Sequence, residues 1–454
     1  MTDTASFEEF RQRVESSRTT QMPEFVARMR LDAAGLRALQ ERRLRALVAH
    51  AARHSPFWSR RLVGLDPARV GLEQLAQVPP LAKAELMREF DEAVTDRRLS
   101  RGLVEDALAR TTTLPVPILG RYLAQATGGS SGQRGAFVND LDAYVEVSSA
   151  PLRALMSSGV ARELPAQGFR MAIVGAKSAV HSTGLAAAMS RPGDGPVDRH
   201  AVPVTLPLAE MVARLSAIRP DVLLGYPTVL ARLAAAGLEI RPQAVVTTSE
   251  MLTDELRATI RAGFGVPIFD LFGSTEGLMG VTEPDGSAFV FNSDTCIVEP
   301  VDADDRPVPM GTPSTYVLVT NLCNHVQPLI RYRLEDRFTQ LPEVPGSPYF
   351  RASVEGRADE VLRWGAVEVH PLGVRAALLK HPEVVDYQVR QTPEGIDVAL
   401  IADGALDPAA LTCELRGALA GAGLAAPVVT VARVGGLARH SETGKLRRFV
   451  PLPA

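Results

Sequence analysis

A run of glycine and hydroxyl residues is the most conspicuous candidate for chemistry in the chain: Thr127-Gly128-Gly129-Ser130-Ser131-Gly132-Gln133-Arg134-Gly135. Its glycines allow close approach of the backbone to a ligand, and its hydroxyl and N–H groups can surround a phosphate. It lacks the Gly-Lys-Ser/Thr ending of a Walker A loop. Taken alone, the run predicts either a phosphate-binding loop or a flexible loop without a ligand.

A second cluster, Phe272-Gly273-Ser274-Thr275-Glu276-Gly277, follows the predicted strand Ile268–Phe272. An aromatic ring can stack on a base, a hydroxyl can bind phosphate, and a carboxylate can hold Mg²⁺. One strand end therefore offers the three kinds of group that a nucleotide needs. A plain turn after a strand is the alternative interpretation.

Three further segments lie towards the C-terminus. The segment Pro328–Asp336 ends in a carboxylate that could accept hydrogen bonds from ribose hydroxyls, or form a surface ion pair. The segment Gly356–Glu360 lies at an inferred domain junction. The segment Gly444–Arg448 contains Lys445, which could reach another domain and stabilise charge on a phosphoryl group. A solvated basic tail is the alternative for this last segment.

An alternation of strand-sized apolar runs and helical patterns positions these segments. The predicted strands are Met171–Val174, Val222–Leu224, Ala244–Thr248 and Ile268–Phe272, and the predicted helices are Leu208–Ile218, Thr228–Ala236 and Thr253–Ala262. Such alternation indicates βαβ units and a largely parallel sheet, in which ligands bind beyond the carboxyl ends of the strands.

The rest of the chain completes a two-domain prediction. Residues 1–100 look like a helical lead-in, and residues 287–340 look rich in strands, with Tyr316–Thr320 the clearest. The C-terminal part follows the order helix, strand, strand, helix, strand. We therefore predict an α/β protein with a large N-terminal α/β domain, 1–356, of mostly parallel sheets plus a β-rich segment. A small mobile α+β domain, 357–454, would follow.

Composition excludes several classes of function. The formal net charge of −3 over 454 residues gives no support to nucleic-acid binding. Cys296, Cys323 and Cys413 form no CxxC pair, so reduced thiols are expected rather than a zinc site or a disulfide framework. The N-terminus is charged and no run is long enough to span a bilayer, which predicts a cytoplasmic protein without a membrane partner.

Taken in order, the five segments resemble the adenylate-forming superfamily of acyl-CoA synthetases, adenylation domains and luciferases. The phenylacetate-CoA ligase branch is the most similar. Three stretches carry that finer resemblance: His54–Arg61, Leu81–Leu86 and Gly225–Thr228. The resemblance covers nearly the whole chain and implies ATP, Mg²⁺ and coenzyme A as cofactors. Gln133-Arg134 departs from the usual Lys-Pro of the phosphate loop, and Gly128 stands where a hydroxyl residue is common.

The resemblance also implies roles for individual residues. Thr127 to Gly132 would form the phosphate loop, Glu276 would bind Mg²⁺, and Lys445 would catalyse adenylation. Asp359 would be the hinge of the C-terminal domain. Further nucleotide-binding residues would be Ser249, Glu250, Asp270, Phe272, Gly273, Ser274, Thr275, Asp336 and Arg357.

The acid pocket is implied at Tyr226, His181, Gly273 and Met279. His181 could orient the carboxylate or receive the second nucleophile, or it could be a packed, hydrogen-bonded histidine. Tyr226 could pack on an aromatic acid or merely close the turn Gly225–Thr228. His325, His370, His381 and His440 show no ligand spacing.

The expected reaction is activation of a small carboxylic acid, aromatic by analogy, to an acyl-adenylate, followed by transfer to CoA. An amide synthetase, a carrier-protein acyl ligase and a nitrite-activating diazotase would share the first step, with an amine or a separate carrier protein as partner. A silent nucleotide-binding module is the alternative from another class, but it would have no need of Lys445. A homodimer is a further expectation.

Overall fold

The structure is a computed structural model that divides into two compact units, one reaching Glu355 and the other starting at Gly356. The sequence prediction puts the domain boundary beside this point, between 356 and 357. The residues described are 2–127, 135–165, 167–191, 196–357, 360–369, 371–378, 380–381, 383–402, 404–439 and 445–452, without the side chains of 2–6, 357, 372, 376 and 385.

Helices account for most of the lead-in and cover the parallel strands. Those in the described residues are α1 Thr2–Arg28, α2 Ala33–His54, α3 Pro56–Arg61, α4 Lys83–Arg88, α5 Phe90–Ala93, α6 Arg101–Arg110, α7 Leu141–Ser157, α8 Ser182–Ala188, α9 Leu208–Ile218, α10 Pro227–Ala235, α11 Asp254–Phe264, α12 Pro371–Leu378 and α13 Pro408–Gly421.

The strands in the same residues are β1 Leu123–Ala126, β2 Ala136–Asn139, β3 Phe169–Gly175, β4 Val197–Pro203, β5 Val222–Gly225, β6 Ala244–Thr248, β7 Ile268–Gly273, β8 Met279–Thr282, β9 Phe289–Phe291, β10 Cys296–Val301, β11 Tyr316–Asn321, β12 Leu329–Leu334, β13 Asp336–Leu341, β14 Arg351–Arg357, β15 Leu362–Trp364, β16 Val367–Val369, β17 Val384–Thr392, β18 Gly395–Ala402, β19 Val428–Arg433 and β20 Phe449–Val450.

The largest sheet seen in the described residues has the order β13-β14-β9-β8-β7-β6-β5-β3-β4. Strands β4, β3, β5, β6 and β7 pair in parallel, because helices return the chain between β3 and β7. After β7 the chain turns directly back, so β8 and β9 pair antiparallel. The predicted α/β class is confirmed. The parallel pairing is found in the strands that alternate with helices, β3 to β7.

Helix α11 shows how local sequence sets these elements. Thr253 caps it, its Oγ1 accepting a hydrogen bond from the Leu256 N–H at 3.3 Å. Gly265 ends it with a φ of +67°, a backbone conformation that glycine adopts without a Cβ penalty. Leu256, Ile260 and Phe264 recur every four residues and are buried against the sheet. Cap and spacing therefore agree on one helix, as the sequence predicts.

A network of buried charges joins helices α1, α2 and α7 to the turn between β9 and β10. Arg153 makes two hydrogen bonds of 2.6 Å to Asp294, whose side chain is fully buried. Arg28 lies 3.5 Å from Asp294 and binds Glu146 at 2.9 Å, and Arg43 donates to Glu146 at 2.7 Å. Helices α1, α2 and α7 each contribute a charge to this network. Removal of one charged partner would therefore leave the others buried without a counter-charge, which is destabilising.

The second unit has its own sheet and core. Its strands take the order β19-β18-β17-β20, and α13 buries Leu411, Leu415 and Leu419 against them. The predicted order of helix, strand, strand, helix, strand is observed. The short strands β15, β16 and β20 are additions to it.

The three cysteines are free thiols: Cys296 is buried, Cys323 half-buried and Cys413 exposed. Burial raises the pKa of Cys323 to about 12, so this thiol stays protonated at neutral pH. None of the helices in the described residues is both long and apolar enough to span a bilayer.

Candidate active site

The turn between β7 and β8 presents the predicted nucleotide-binding cluster. The Ser274 N–H donates to the Leu278 carbonyl at 2.9 Å, and the Leu278 N–H donates to Ser274 Oγ at 3.2 Å. Gly277 has a φ of +100°, which residues with a Cβ rarely adopt. Ser274 and Gly277 thus shape a tight turn that leaves Thr275 half-buried and Glu276 5% exposed.

Two asparagines outside the predicted site hold this turn. Asn321 Nδ2 donates to the Glu276 carbonyl at 2.8 Å. Asn292 Oδ1 accepts from the Met279 N–H at 2.8 Å, and its Nδ2 donates to the Gly277 carbonyl at 3.3 Å. Asn321 ends β11, so a polar residue at the end of a buried strand was the signal available in the sequence.

Phe272 lies in a group of phenylalanines. Its ring meets those of Phe289, Phe291 and Phe338 edge-on, with centroids 6.3, 5.6 and 5.4 Å away. Such contacts fix the orientation of the ring. Phe272 is itself half-buried, so part of it is accessible to a ligand. Its stacking on adenine stays a prediction.

The predicted phosphate loop connects β1 and β2, and the structure describes its base. The Thr127 N–H donates to the Gly135 carbonyl at 2.9 Å, and the Gly135 N–H donates to Thr127 Oγ1 at 2.9 Å. A Cβ at Gly135 would lie 2.8 Å from the Phe137 ring, so a residue larger than glycine would crowd that ring. The other predicted loop residues, Gly128, Gly129, Ser130, Ser131 and Gly132, lie outside the described residues.

Glu250 follows β6 and contacts the start of α10. Its Oε2 accepts from Thr228 Oγ1 at 2.6 Å and from the Thr228 N–H at 3.4 Å. The carboxylate therefore lies at a helix N-terminus, where negative charge is favoured. Ser249 beside it has a φ of +69°, which is uncommon for a residue other than glycine. Their contacts with a nucleotide stay predictions.

Asp270 is tied to the strands on both sides of it. Its Oδ1 accepts from Thr247 Oγ1 at 2.7 Å, and its N–H donates to Thr282 Oγ1 at 2.9 Å. Burial raises the pKa of Asp270 to about 6. These bonds hold β6, β7 and β8 together, and the turn that carries Glu276 connects β7 to β8. The predicted nucleotide contact of Asp270 stays a prediction.

The four predicted pocket residues differ in burial and in their contacts. Gly273 and Met279 face each other in the register of β7 and β8. His181 is 8% exposed, whereas Tyr226 is fully buried and shares a 2.9 Å hydrogen bond with Thr183. Burial raises the pKa of Tyr226 to about 12. Its complete burial favours the alternative in which Tyr226 packs within the core at the turn.

The remaining nucleotide-binding predictions fall on β13 and β14. Asp336 begins β13 and is 6% exposed. Arg357 ends β14, and its side chain lies outside the described residues, as does the predicted hinge Asp359. Binding of ribose by Asp336 and Arg357 stays a prediction, as does rotation about Asp359.

Lys445 lies in the second unit and is half-buried. The chain beside it is anchored, because Leu446 is 6% exposed and the Arg447 carbonyl accepts from Gln388 Nε2 at 2.9 Å. Arg448 then forms an ion pair of 3.0 Å with Asp386. A lysine followed by a fixed segment can be delivered by movement of the whole unit, and that delivery stays a prediction.

Among the described residues, no group of three or more His, Cys, Asp or Glu side chains could hold a metal ion by itself. Mg²⁺ in nucleotide sites is held by one or two carboxylates together with phosphate oxygens and water. A single buried carboxylate, Glu276, on a turn beside the hydroxyl of Thr275 fits that kind of site.

Sequence comparison finds relatives along most of the chain. A phenylacetate-coenzyme A ligase of Thermus thermophilus is 28% identical over 383 residues, which is 79% of each chain. A phenylacetate-coenzyme A ligase of Aromatoleum evansii is 24% identical over 77% of this chain and 76% of its own. No family model matches.

Comparison of structures agrees on the fold. A 2-hydroxyisobutyryl-CoA ligase, solved in the postadenylation state with 2-HIB-AMP, has a TM-score of 0.70 at 18% identity. The match covers 93% of this chain and 90% of that one. The sequence and structural similarities support the predicted resemblance to the adenylate-forming superfamily and its phenylacetate-CoA ligase-like branch.

Proposed function

We propose that this protein is an AMP-forming acid–CoA ligase, which activates a small carboxylic acid with ATP and transfers the acyl group to CoA. The observation that carries the proposal is the turn between β7 and β8. It places buried Glu276 beside Thr275 and Phe272 at the carboxyl end of a parallel strand, where ligands bind in such sheets. Similarity to phenylacetate-CoA ligases over most of the chain supports the same reaction.

In the first half-reaction, a carboxylate oxygen of the acid attacks the α-phosphorus of ATP. The new O–P bond forms, the bond to the bridging oxygen breaks, and pyrophosphate leaves with that electron pair. Glu276 would hold Mg²⁺, which neutralises phosphate charge when bound. The Thr275 hydroxyl would donate to an α-phosphate oxygen, and the Lys445 ammonium would stabilise charge that develops there.

In the second half-reaction, the sulfur of CoA attacks the acyl carbonyl carbon. The C–S bond forms, the C–O bond to AMP breaks, AMP leaves with the electron pair, and the thiol proton passes to solvent. We propose that the second unit rotates about Asp359 between the steps, so that Lys445 serves the first step alone.

The acid is proposed to be aromatic because the relatives found by sequence are phenylacetate-CoA ligases. Gly273 and Met279, paired at the ends of β7 and β8, would line its pocket with His181. Gly273 carries no side chain, and an added Cβ would lie 3.3 Å from Met279 Sδ, so the thioether of Met279 would form the wall of the pocket there. Tyr226 has no exposed surface with which to contact the acid.

The test of the first step is release of pyrophosphate from Mg–ATP with a panel of acids that includes phenylacetate, benzoate and 2-hydroxyisobutyrate. Glu276→Gln should slow release about 10²–10³-fold through loss of the carboxylate. The matched control is Glu283→Gln, an exposed carboxylate just after β8, which should leave the rate unchanged. Binding of Mg–ATP without pyrophosphate release for any acid would refute adenylation and favour a silent module.

The acceptor is tested separately by adding CoA, amines, a pantetheinylated carrier protein or nitrite to the adenylating mixture. AMP release and thioester formation that require CoA would support the ligase. AMP release that responds to an amine, to the carrier protein or to nitrite, but not to CoA, would refute the CoA assignment and leave adenylation intact.

A further inference from the structure

The outer edge of β2 is completed by side chains instead of a third strand. Strand β2 pairs with β1 along one edge, and the described residues supply no strand on the other. There, the Val138 N–H donates to Gln327 Oε1 at 2.8 Å, and Gln327 Nε2 donates to the Ala136 carbonyl at 3.2 Å. The side-chain amide of Gln327 thus occupies the place of a peptide unit in a neighbouring strand.

Two more side chains extend this substitute edge. Asn324 Nδ2 donates to the Val138 carbonyl at 2.8 Å, and Met87 Sδ accepts from the Ala136 N–H at 3.3 Å. Gln327 is 1% exposed, Asn324 is 3% exposed and Met87 is fully buried. Because water cannot reach this edge, the backbone groups of β2 depend on these side chains for their hydrogen bonds.

The same segment, 321–327, also braces the turn that carries Glu276. Asn321 Nδ2 donates to the Glu276 carbonyl, while Asn321 Oδ1 accepts from the Asn324 N–H at 3.1 Å. Asn324 Oδ1 in turn accepts from the Gln327 N–H at 3.0 Å. We call Asn321, Asn324 and Gln327 the amide clamp.

We propose that the amide clamp consists of positioning residues for Mg–ATP. It fixes β2, and with it the Thr127–Gly135 base of the predicted phosphate loop, to the turn that carries Glu276. This inference rests on the proposed function. The phosphate loop and Glu276 would act on the same triphosphate, so the distance between them must stay fixed. A misplacement of about 1 Å can lower a reaction rate about 10²-fold. A clamp bonded to both supplies that constraint.

The experiment compares the wild type with Gln327→Met, which keeps the length of the side chain and removes both bonds to β2. We expect the Kd for Mg–ATP, measured by calorimetry without acid, to rise about 5–10-fold. The KM for ATP in pyrophosphate release should rise in parallel, and the KM for the acid should not. Thioester formation from a supplied acyl-adenylate should keep its rate, because ATP takes no part in it.

Ser55→Ala is the matched control. Ser55 is equally buried, donates to the Glu92 carbonyl at 2.7 Å and accepts from the Trp58 N–H at 3.1 Å, within the lead-in helices. It should lower the melting temperature without changing the Kd for Mg–ATP. Asn321→Ala, which acts on the Glu276 side of the clamp, is the second variant and should raise the Mg²⁺ concentration needed for half-maximal rate.

An unchanged Kd for Mg–ATP in Gln327→Met would overturn the inference, and so would equal losses in its two half-reactions or an unchanged Mg²⁺ requirement in Asn321→Ala. If the wild type binds Mg–ATP but releases no pyrophosphate with any acid, the proposed function fails. The Kd values of the variants still decide the inference about the clamp, so the two failures are distinguishable.

Discussion

Replacement of Gly277 by alanine tests whether the turn geometry holds Glu276 in place. Gly277 has a φ of +100°, and a Cβ at this position would collide with Asn321 Nδ2. That nitrogen is the donor to the Glu276 carbonyl. The substitution therefore strains the backbone and displaces the asparagine that fixes the Glu276 turn.

The magnitude follows from these two effects. A left-handed backbone costs a residue with a Cβ about 1–2 kcal/mol. Loss of the buried hydrogen bond from Asn321 costs about 1–3 kcal/mol, since both groups lose their partner away from water. The sum is about 2–5 kcal/mol. A unit of roughly 350 residues has an unfolding entropy of about 0.7 kcal/mol/K, so its melting temperature should fall by about 3–7 °C.

Calorimetric melting and pyrophosphate release with Mg–ATP are the assays. The rate of release should fall about 10–100-fold, because the Glu276 carboxylate moves with its turn. Gly311→Ala is the matched control, since Gly311 has a φ of +81° with no atom within 4 Å of an added Cβ. The control should show the backbone cost alone. Equal melting shifts in the two variants, with a wild-type rate for Gly277→Ala, would refute the reasoning.

Three further predictions follow from the charged and polar contacts. Lys445→Ala should slow adenylation about 10²–10³-fold and spare thioester formation from a supplied acyl-adenylate; equal loss of both steps would contradict a role in the first step alone. Thr228→Val removes the hydroxyl donor to Glu250 and keeps the N–H donor, and it should cost about 1–2 kcal/mol in urea unfolding; no loss would show that the hydroxyl bond adds nothing to stability. Arg153→Met should cost about 3–5 kcal/mol, since it leaves Asp294 buried without its main partner. In the wild type, burial opposes ionisation of Asp294, but its hydrogen bonds and charge contacts with Arg153 prevail and lower its pKa. The stability from this pair is therefore fully present above the unfolded pKa of about 3.9 and is lost as pH falls through the lower folded value. The difference between wild type and variant should shrink below about pH 4, and a constant difference would refute the pairing.

Elements with a strong local pattern could be predicted from sequence, and those without one could not. The predicted Ala244–Thr248 and Leu208–Ile218 match β6 and α9 residue for residue, because each carries a continuous apolar run or a helical stripe. Strand β4, Val197–Pro203, was missed. It lies at the edge of the sheet, and the consecutive polar residues Asp198, Arg199 and His200 interrupt its apolar pattern.

In the candidate site, too, some features could be predicted from the sequence and others depended on packing. Residue type and order marked Phe272 to Glu276 as a nucleotide-binding cluster, and the fold buries Glu276 on a turn at a strand end. The opposite holds for Tyr226. Its aromatic side chain suggested contact with an acid, yet its complete burial and its bond to Thr183 place it in the core. Burial depends on which elements cover a residue, and that is a property of packing.

The sequence by itself determined the alternation of strands and helices, the start of α11 at Thr253 and the order of the chemical segments, because these depend on residues a few positions apart. Tertiary structure alone decided that Gln327 completes the edge of β2, 189 residues away from the Val138 N–H that it accepts. A side-chain amide carries the same donor and acceptor wherever it stands. Which group it bonds depends on the elements that tertiary folding brings next to it, and this cannot be read from a local sequence pattern.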